Sequence, residues 1–231
     1  MLETRQLAIT LGDRNIRLAV AADLEALLGD LSDPDQVPCW ADLWPAACGL
    51  ARFIWSGPGL NGCSVLELGA GVGLPGVACG LKGAAVTFSD FQQPALELCA
   101  ANARLNGLPG YKLLLEDWRT FTCRERFDLV LASDIAYEPR LLPHLEKVLF
   151  MVVKPGGTLM ISHPGRPVTG NFVRQLLKRG VFSESVVVED VVMDDPVLPR
   201  YQITIHLLRY KRLKKTALRR NRPLRYRITV Y

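Results

Sequence analysis

The chain changes its hydrophobic period several times, and each change marks an element. "QLAITLGDRNIRLAV" puts apolar residues at alternate positions on both sides of a GDRN turn, which predicts a β-hairpin over residues 6–20. "AADLEALLGD" predicts a short helix ending at Gly29, and "LSDPDQVP" an acidic loop. In "ADLWPAACGLARFIW" the spacing becomes helical, with Leu43, Ala47, Leu50, Phe53 and Ile54 able to share one face.

From Cys63 on, short apolar runs alternate with helical stretches. The runs "CSVLELG", "AAVTFSD", "YKLLLED", "FDLVLASD" and "PGGTLMISH" predict five strands. Helices are expected over "LPGVACGLKG", "PALELCAANARLNG", "RLLPHLEKVLFMVV" and "GNFVRQLLKRG", the first closed by Gly83 and the last by Gly180. "FSESVVVEDV" and "RYQITIHLLRY" predict two last strands with no helix between them. Nearly all-apolar strands alternating with helices mean a parallel sheet covered on both faces. The missing crossover helix means that the last strand runs antiparallel. The expected class is α/β: a seven-stranded, mostly parallel sheet with helices on both faces, preceded by a hairpin and helices. No internal repeat is visible.

Composition bounds this picture. Hydrophobic residues make up 49% of the 231, enough for a substantial core. The longest uninterrupted apolar run, Val148 to Val153, is far below the roughly 18–20 residues of a membrane helix. The first ten residues lack the basic-then-apolar layout of a signal peptide, so a cytoplasmic protein with no membrane contact is expected. The net charge of +5 averages two unlike parts. From Arg209 to the end there are ten Lys or Arg and no acid, leaving 18 cations against 23 acids in residues 1–208. The expected organisation is an N-terminal extension over 1–37, the main domain over 38–210 and a flexible basic tail over 211–231. The six cysteines show no C-x-x-C spacing, and Cys79 and Cys99 fall in apolar helical patterns. Reduced thiols and no metal site are expected.

The candidate chemistry starts at "VLELGAGVGLPG", residues 65–76. From Gly71 it reads G-x-G-x-x-G, a dinucleotide loop; from Glu67 it reads E-x-G-x-G-x-G, an S-adenosylmethionine loop. Three features favour the second. The strand runs into Gly69, so the dinucleotide frame starts two residues late. Glu67 would be a buried carboxylate, which needs a cationic ligand or a structural hydrogen bond beside the loop. Asp90, Asp117 and Asp134 end the next three strands, and a ring of acids suits a cationic sulfonium rather than a pyrophosphate. Asp90, 19 residues beyond Gly71, stands where an acid accepts hydrogen bonds from ribose hydroxyls. Asp117 and Trp118 stand where adenine could be hydrogen-bonded and stacked.

Taken together, "WADLWP", "VLELGAGVGLPG", "VTFSD", "LEDW" and "LASDIAYEP" resemble the class I methyltransferases of family 16, Rossmann-like seven-stranded enzymes. Many of them methylate lysine side chains of proteins. The resemblance covers about residues 35–208. It implies S-adenosylmethionine as cofactor, held by Trp44, Glu67, Gly69, Gly71, Gly73, Asp90, Asp117, Trp118 and Ser133. It places Asp134 and Tyr137, the D-x-x-Y pair, at the substrate entrance as catalytic residues, and makes Trp40 an N-terminal cover over the site. The implied function is N-methylation of a protein lysine. Asp134 would orient the ammonium and Tyr137 hold the nitrogen. The family also has arginine-directed members, and a small-molecule or RNA acceptor remains the alternative. His163, after strand five, is a further candidate for substrate contact. The basic tail offers a nucleic-acid contact.

Overall fold

The computed structural model describes residues 2–29, 33–193 and 198–211. The chain opens with the hairpin β1 (Thr4–Leu11) and β2 (Arg14–Ala21), paired antiparallel through Leu11 and Arg14 at the turn. The helix expected before Gly29 is reduced to one 3₁₀ turn, Glu25–Leu27. Leu24 and Leu28 remain exposed, so that segment has no apolar face to bury. Two more short turns, Pro34–Gln36 and Cys39–Ala41, lead into α1 (Pro45–Ser56).

The main sheet then builds up through β3 (Ser64–Leu68), α2 (Leu74–Leu81), β4 (Ala85–Asp90), α3 (Gln93–Leu105), β5 (Tyr111–Leu115) and β6 (Phe127–Ser133). It continues with α4 (Leu142–Val152), β7 (Val153–His163), α5 (Pro167–Lys178), β8 (Phe182–Val192) and β9 (Arg200–Tyr210). The strand order is β5-β4-β3-β6-β7-β9-β8. β9 pairs antiparallel with both β7 and β8, so the last strand is inserted between its two predecessors and is the reversed one.

The period-2 alternation sorts the core into two layers. Val65, Phe88, Leu129, Leu131 and Ile203 face α1, α2, α3 and the hairpin. Leu66, Leu68, Val130, Ala132 and Leu159 face α4 and α5. The hairpin is locked to the first layer by buried Asn102 on α3. Its amide accepts from the Ala19 N–H at 2.7 Å and donates to the carbonyls of Ala19 and Val72 at 3.0 and 2.9 Å. The same side chain therefore ties the N-terminal hairpin to the glycine loop after β3. Among the described residues no helix is long and apolar enough to cross a membrane. The basic tail from Arg212 on, with the nucleic-acid contact expected of it, lies outside the described residues.

Candidate active site

β3, β4 and β6 end at the carboxyl edge of the sheet, where the strand order changes direction, and a cavity of about 360 Å³ opens there. The loop after β3 forms its floor. Gly69, Gly71 and Gly73 all have positive φ, of 57°, 52° and 77°. At Gly71 a Cβ would come within 3.1 Å of the Trp40 carbonyl oxygen, so the Cys39–Ala41 turn can close over the loop only because glycine is there. Trp44, at the start of α1, lines the same cavity and donates from Nε1 to the Cys39 carbonyl at 2.6 Å.

Glu67 points from β3 toward α2, the same side as Val65, and is buried. Its Oε2 accepts from the Gly76 N–H in the first turn of α2 at 2.8 Å. A Cβ on Gly76 would lie 2.5 Å from that oxygen and 2.4 Å from Phe88 Cε1. The glycine that completed the dinucleotide-like match thus has a structural reason: it lets the helix terminus reach the Glu67 carboxylate. Burial nevertheless pushes the Glu67 pKa up to about 8. Asp90 accepts from the N–H groups of Gly71 at 3.1 Å and Gln92 at 3.0 Å, and burial raises its pKa too.

The other two acids of the ring are charge-compensated. The Asp117 carboxylate is gripped by Arg119 at 2.8–2.9 Å through Nε, which lowers its pKa. Arg119 also reaches Asp35, 2.7 Å away in the Pro34–Gln36 turn. Asp134 is buried and holds φ at +52°, the one non-glycine residue with positive φ among those described. Its oxygens take a bidentate grip from Arg166, Nε at 2.5 Å and Nη2 at 2.8 Å. The Arg166 guanidinium also sits 5.7 Å from the centroid of the Tyr137 ring. Tyr137 lines the cavity beside Cys39, and desolvation holds its pKa up at about 12, so it is a neutral phenol. Ser133 Oγ is buried at the cavity wall without a hydrogen-bond partner.

The cavity therefore brings together the sequence-predicted site residues except Gly73, which caps α2 behind it, and His163. His163 is not on its lining: it lies behind, with Nδ1 accepting from the Arg166 N–H at 2.9 Å. Sequence reading missed Arg166, Cys39, Asp35 and Arg119. The signal for Arg166 was available, as a cation in a Pro-Gly turn after a parallel strand, at the edge where the acids gather. Its partner 32 residues away was not.

The family described as lysine methyltransferase matches residues 30–179. The chain belongs to this family. Its members are S-adenosylmethionine-dependent methyltransferases with this seven-stranded fold. The chain is 32% identical over 148 residues to the electron transfer flavoprotein beta subunit lysine methyltransferase of Mus musculus, covering 62% of this chain and 58% of that protein. It is 35% identical over 104 residues to the histone-arginine methyltransferase METTL23 of Homo sapiens, covering 42% and 55%. It thus spans somewhat over half the length of these relatives. The fold matches that of P. horikoshii TYW2 in complex with MeSAdo with a TM-score of 0.56 at 14% identity, covering 89% of this chain and 72% of that one. The residues present fit the family's methyl donor. The floor is a glycine loop held against the Trp40 backbone, Asp90 offers a carboxylate for hydroxyl groups, and the buried Ser133 hydroxyl lacks a partner.

Proposed function

We propose that the chain is an S-adenosylmethionine-dependent N-methyltransferase acting on lysine side chains of a protein. One observation carries this reading: a single cavity is lined by the glycine loop and Asp90 together with Asp134 and Tyr137. Donor and acceptor can meet there without leaving the protein, and such alignment is the main help this displacement needs.

Glu67, Gly69, Gly71, Asp90, Asp117, Trp118, Ser133 and Trp44 would hold S-adenosylmethionine. When bound it supplies a methyl group activated by a sulfonium. The chain's own residues prepare the acceptor. A lysine ammonium, with a reference pKa of about 10.4, has to lose its proton before its nitrogen can attack. A carboxylate beside the amine works against that loss, so Asp134 recognises the cation and is not the base. The neutral Tyr137 oxygen accepts an N–H of the amine and leaves the nitrogen lone pair free. The ammonium proton passes to water first, leaving Tyr137 to hold a neutral amine whose nitrogen would receive the methyl group the donor supplies, the S–C electron pair staying with the sulfide.

Labelled methyl donor incubated with the protein and a cell lysate should place label in protein, on lysine. Label confined to RNA or small molecules overturns the acceptor assignment, and tight NAD binding without S-adenosylmethionine binding overturns the donor assignment. Asp134→Ala should keep donor affinity within about twofold and lower turnover by roughly 100-fold, on the order of 3 kcal/mol. Arginine is a second acceptor that one observation favours, because the Asp134 corner already accommodates a guanidinium.

A further inference from the structure

We propose that Arg166 is an internal occupant of the acceptor corner, holding the place of the substrate cation in the free enzyme until the substrate displaces it. This rests on the reading of Asp134 and Tyr137 as the acceptor site, and it makes Arg166 a specificity-determining residue.

The corner satisfies the Arg166 guanidinium as it would a substrate cation. Asp134 supplies both oxygens to the fork of Nε and Nη2, and the Tyr137 ring lies beside it. The two partners differ in their access to water. The Arg166 side chain is 40% exposed and that of Asp134 is 5% exposed. The guanidinium can therefore withdraw into solvent, while the carboxylate stays and needs another cation. The pair of Arg179 with Glu146 has a similar imbalance of exposure, but neither residue lines the cavity. Imbalance becomes a gate only where a second cation can enter.

The backbone beneath the side chain is held in place. Arg166 precedes Pro167, which begins α5, and its N–H donates to His163 Nδ1. That bond leaves the His163 proton on Nε2, which faces His206 Nε2 at 3.0 Å. His206 then carries its proton on Nδ1, 2.7 Å from Glu184 Oε1. Every position in this chain is filled with both imidazoles neutral, and it runs from β8 through β9 and β7 to the Arg166 backbone. Only the Arg166 side chain has to swing, so the exchange needs no loop opening.

Two consequences follow. An acceptor that is uncharged in solution cannot replace the guanidinium, so the corner selects a cationic side chain. Its apparent affinity is also reduced by the fraction of time that Arg166 fills the corner. Removing the guanidinium should therefore tighten acceptor binding.

The test uses n-butylammonium and butylguanidinium chloride as probes, with S-adenosylhomocysteine present. Arg166→Gln should bind at least one of them five- to tenfold more tightly than the parent. In the parent, adding that probe should move the Arg166 Nε–Hε resonance. Arg166→Lys, which keeps the charge but loses the fork, should fall between the two. Asp134 loses its partner in Arg166→Gln under either reading, so a lower Tm supports neither. Unchanged or weaker probe binding in both variants, with an unmoved Arg166 resonance, overturns the proposal. Absence of S-adenosylhomocysteine binding would instead defeat the donor reading on which it stands.

Discussion

The two ends of the same parallel strands treat carboxylates in opposite ways. At the amino end, Asp128 on β6 accepts from the Ser64 N–H at 3.0 Å, the Ser64 hydroxyl at 2.6 Å and the Lys154 ammonium at 2.9 Å. Those partners hold its pKa down at about 2. At the carboxyl end, Glu67 on β3 and Asp90 on β4 accept only backbone N–H groups, and burial pushes both pKa values up. Ser133 has no partner there, and Asp134 holds a left-handed backbone. The strands between are the same apolar layers. Asp128 at the amino end is satisfied by side chains of the protein, as Asp117 and Asp134 are at the carboxyl end, whereas Glu67, Asp90 and Ser133 keep hydrogen-bonding capacity that a ligand can use. Strain and desolvation of this kind gather where a protein binds something.

That contrast predicts that substitutions at the two ends separate binding from stability. The largest effect should come from Asp90→Asn. A buried carboxylate that receives ligand hydroxyls contributes charge-assisted hydrogen bonds, so S-adenosylmethionine affinity should fall on the order of 100-fold. Folding stability should change by less than about 1 kcal/mol, because losing one backbone bond is offset by no longer burying a charge. Calorimetry and urea unfolding on the same sample measure both. A large loss of stability with intact donor binding would make Asp90 a structural acid.

Glu67→Gln comes next, and it is a test of pH dependence. The folded pKa of about 8 lies above the ordinary value of 4.5. Between those values the folded protein keeps a proton that the unfolded chain has released. The stability Glu67 contributes is therefore complete below about pH 4.5 and lost as pH rises through 8. Glutamine fixes the neutral state, so the variant should match the parent near pH 5 and exceed it at pH 9 by on the order of 3 kcal/mol. Equal pH slopes in the two proteins would refute the assignment.

The sheet was legible from its periodicity, and the gathering of Glu67, Gly71 and Asp90 at one cavity from their spacing. What escaped depends on contacts that no local pattern carries. The insertion of β9 between β7 and β8 follows from pairing across the sheet, not from the alternation within "RYQITIHLLRY". The segment at 23–29 has helical spacing, but nothing among the described residues covers Leu24 or Leu28. The role of Gly76 is set by Glu67, nine residues earlier in the chain and on a different element. The strand-end pattern places a ring of acids around the loop but says nothing of their cation partners. Asp117 and Asp134 are neutralised by Arg119 and Arg166, so among the described residues the acids of the cavity lining without a cation partner are Glu67 and Asp90.

The smallest effect should come from the amino end, where the comparison is sharpest. Asp128→Ala removes the shared acceptor of Ser64 and Lys154 far from the cavity. Its side chain is 43% exposed, so solvent screens the ion pair and refills the hydrogen bonds. The expected cost is about 1 kcal/mol, well short of what burial of an unpaired group would demand. The folded pKa lies below the ordinary value of 3.8, so this stability is present above about pH 4 and disappears as pH falls toward 2. The gap between parent and variant should close over that window, opposite in direction to the Glu67 effect. Donor affinity should stay within twofold of the parent throughout. A drop in donor affinity in Asp128→Ala would mean that the two ends of the sheet are coupled, and that the division between satisfied and ligand-satisfied carboxylates does not hold.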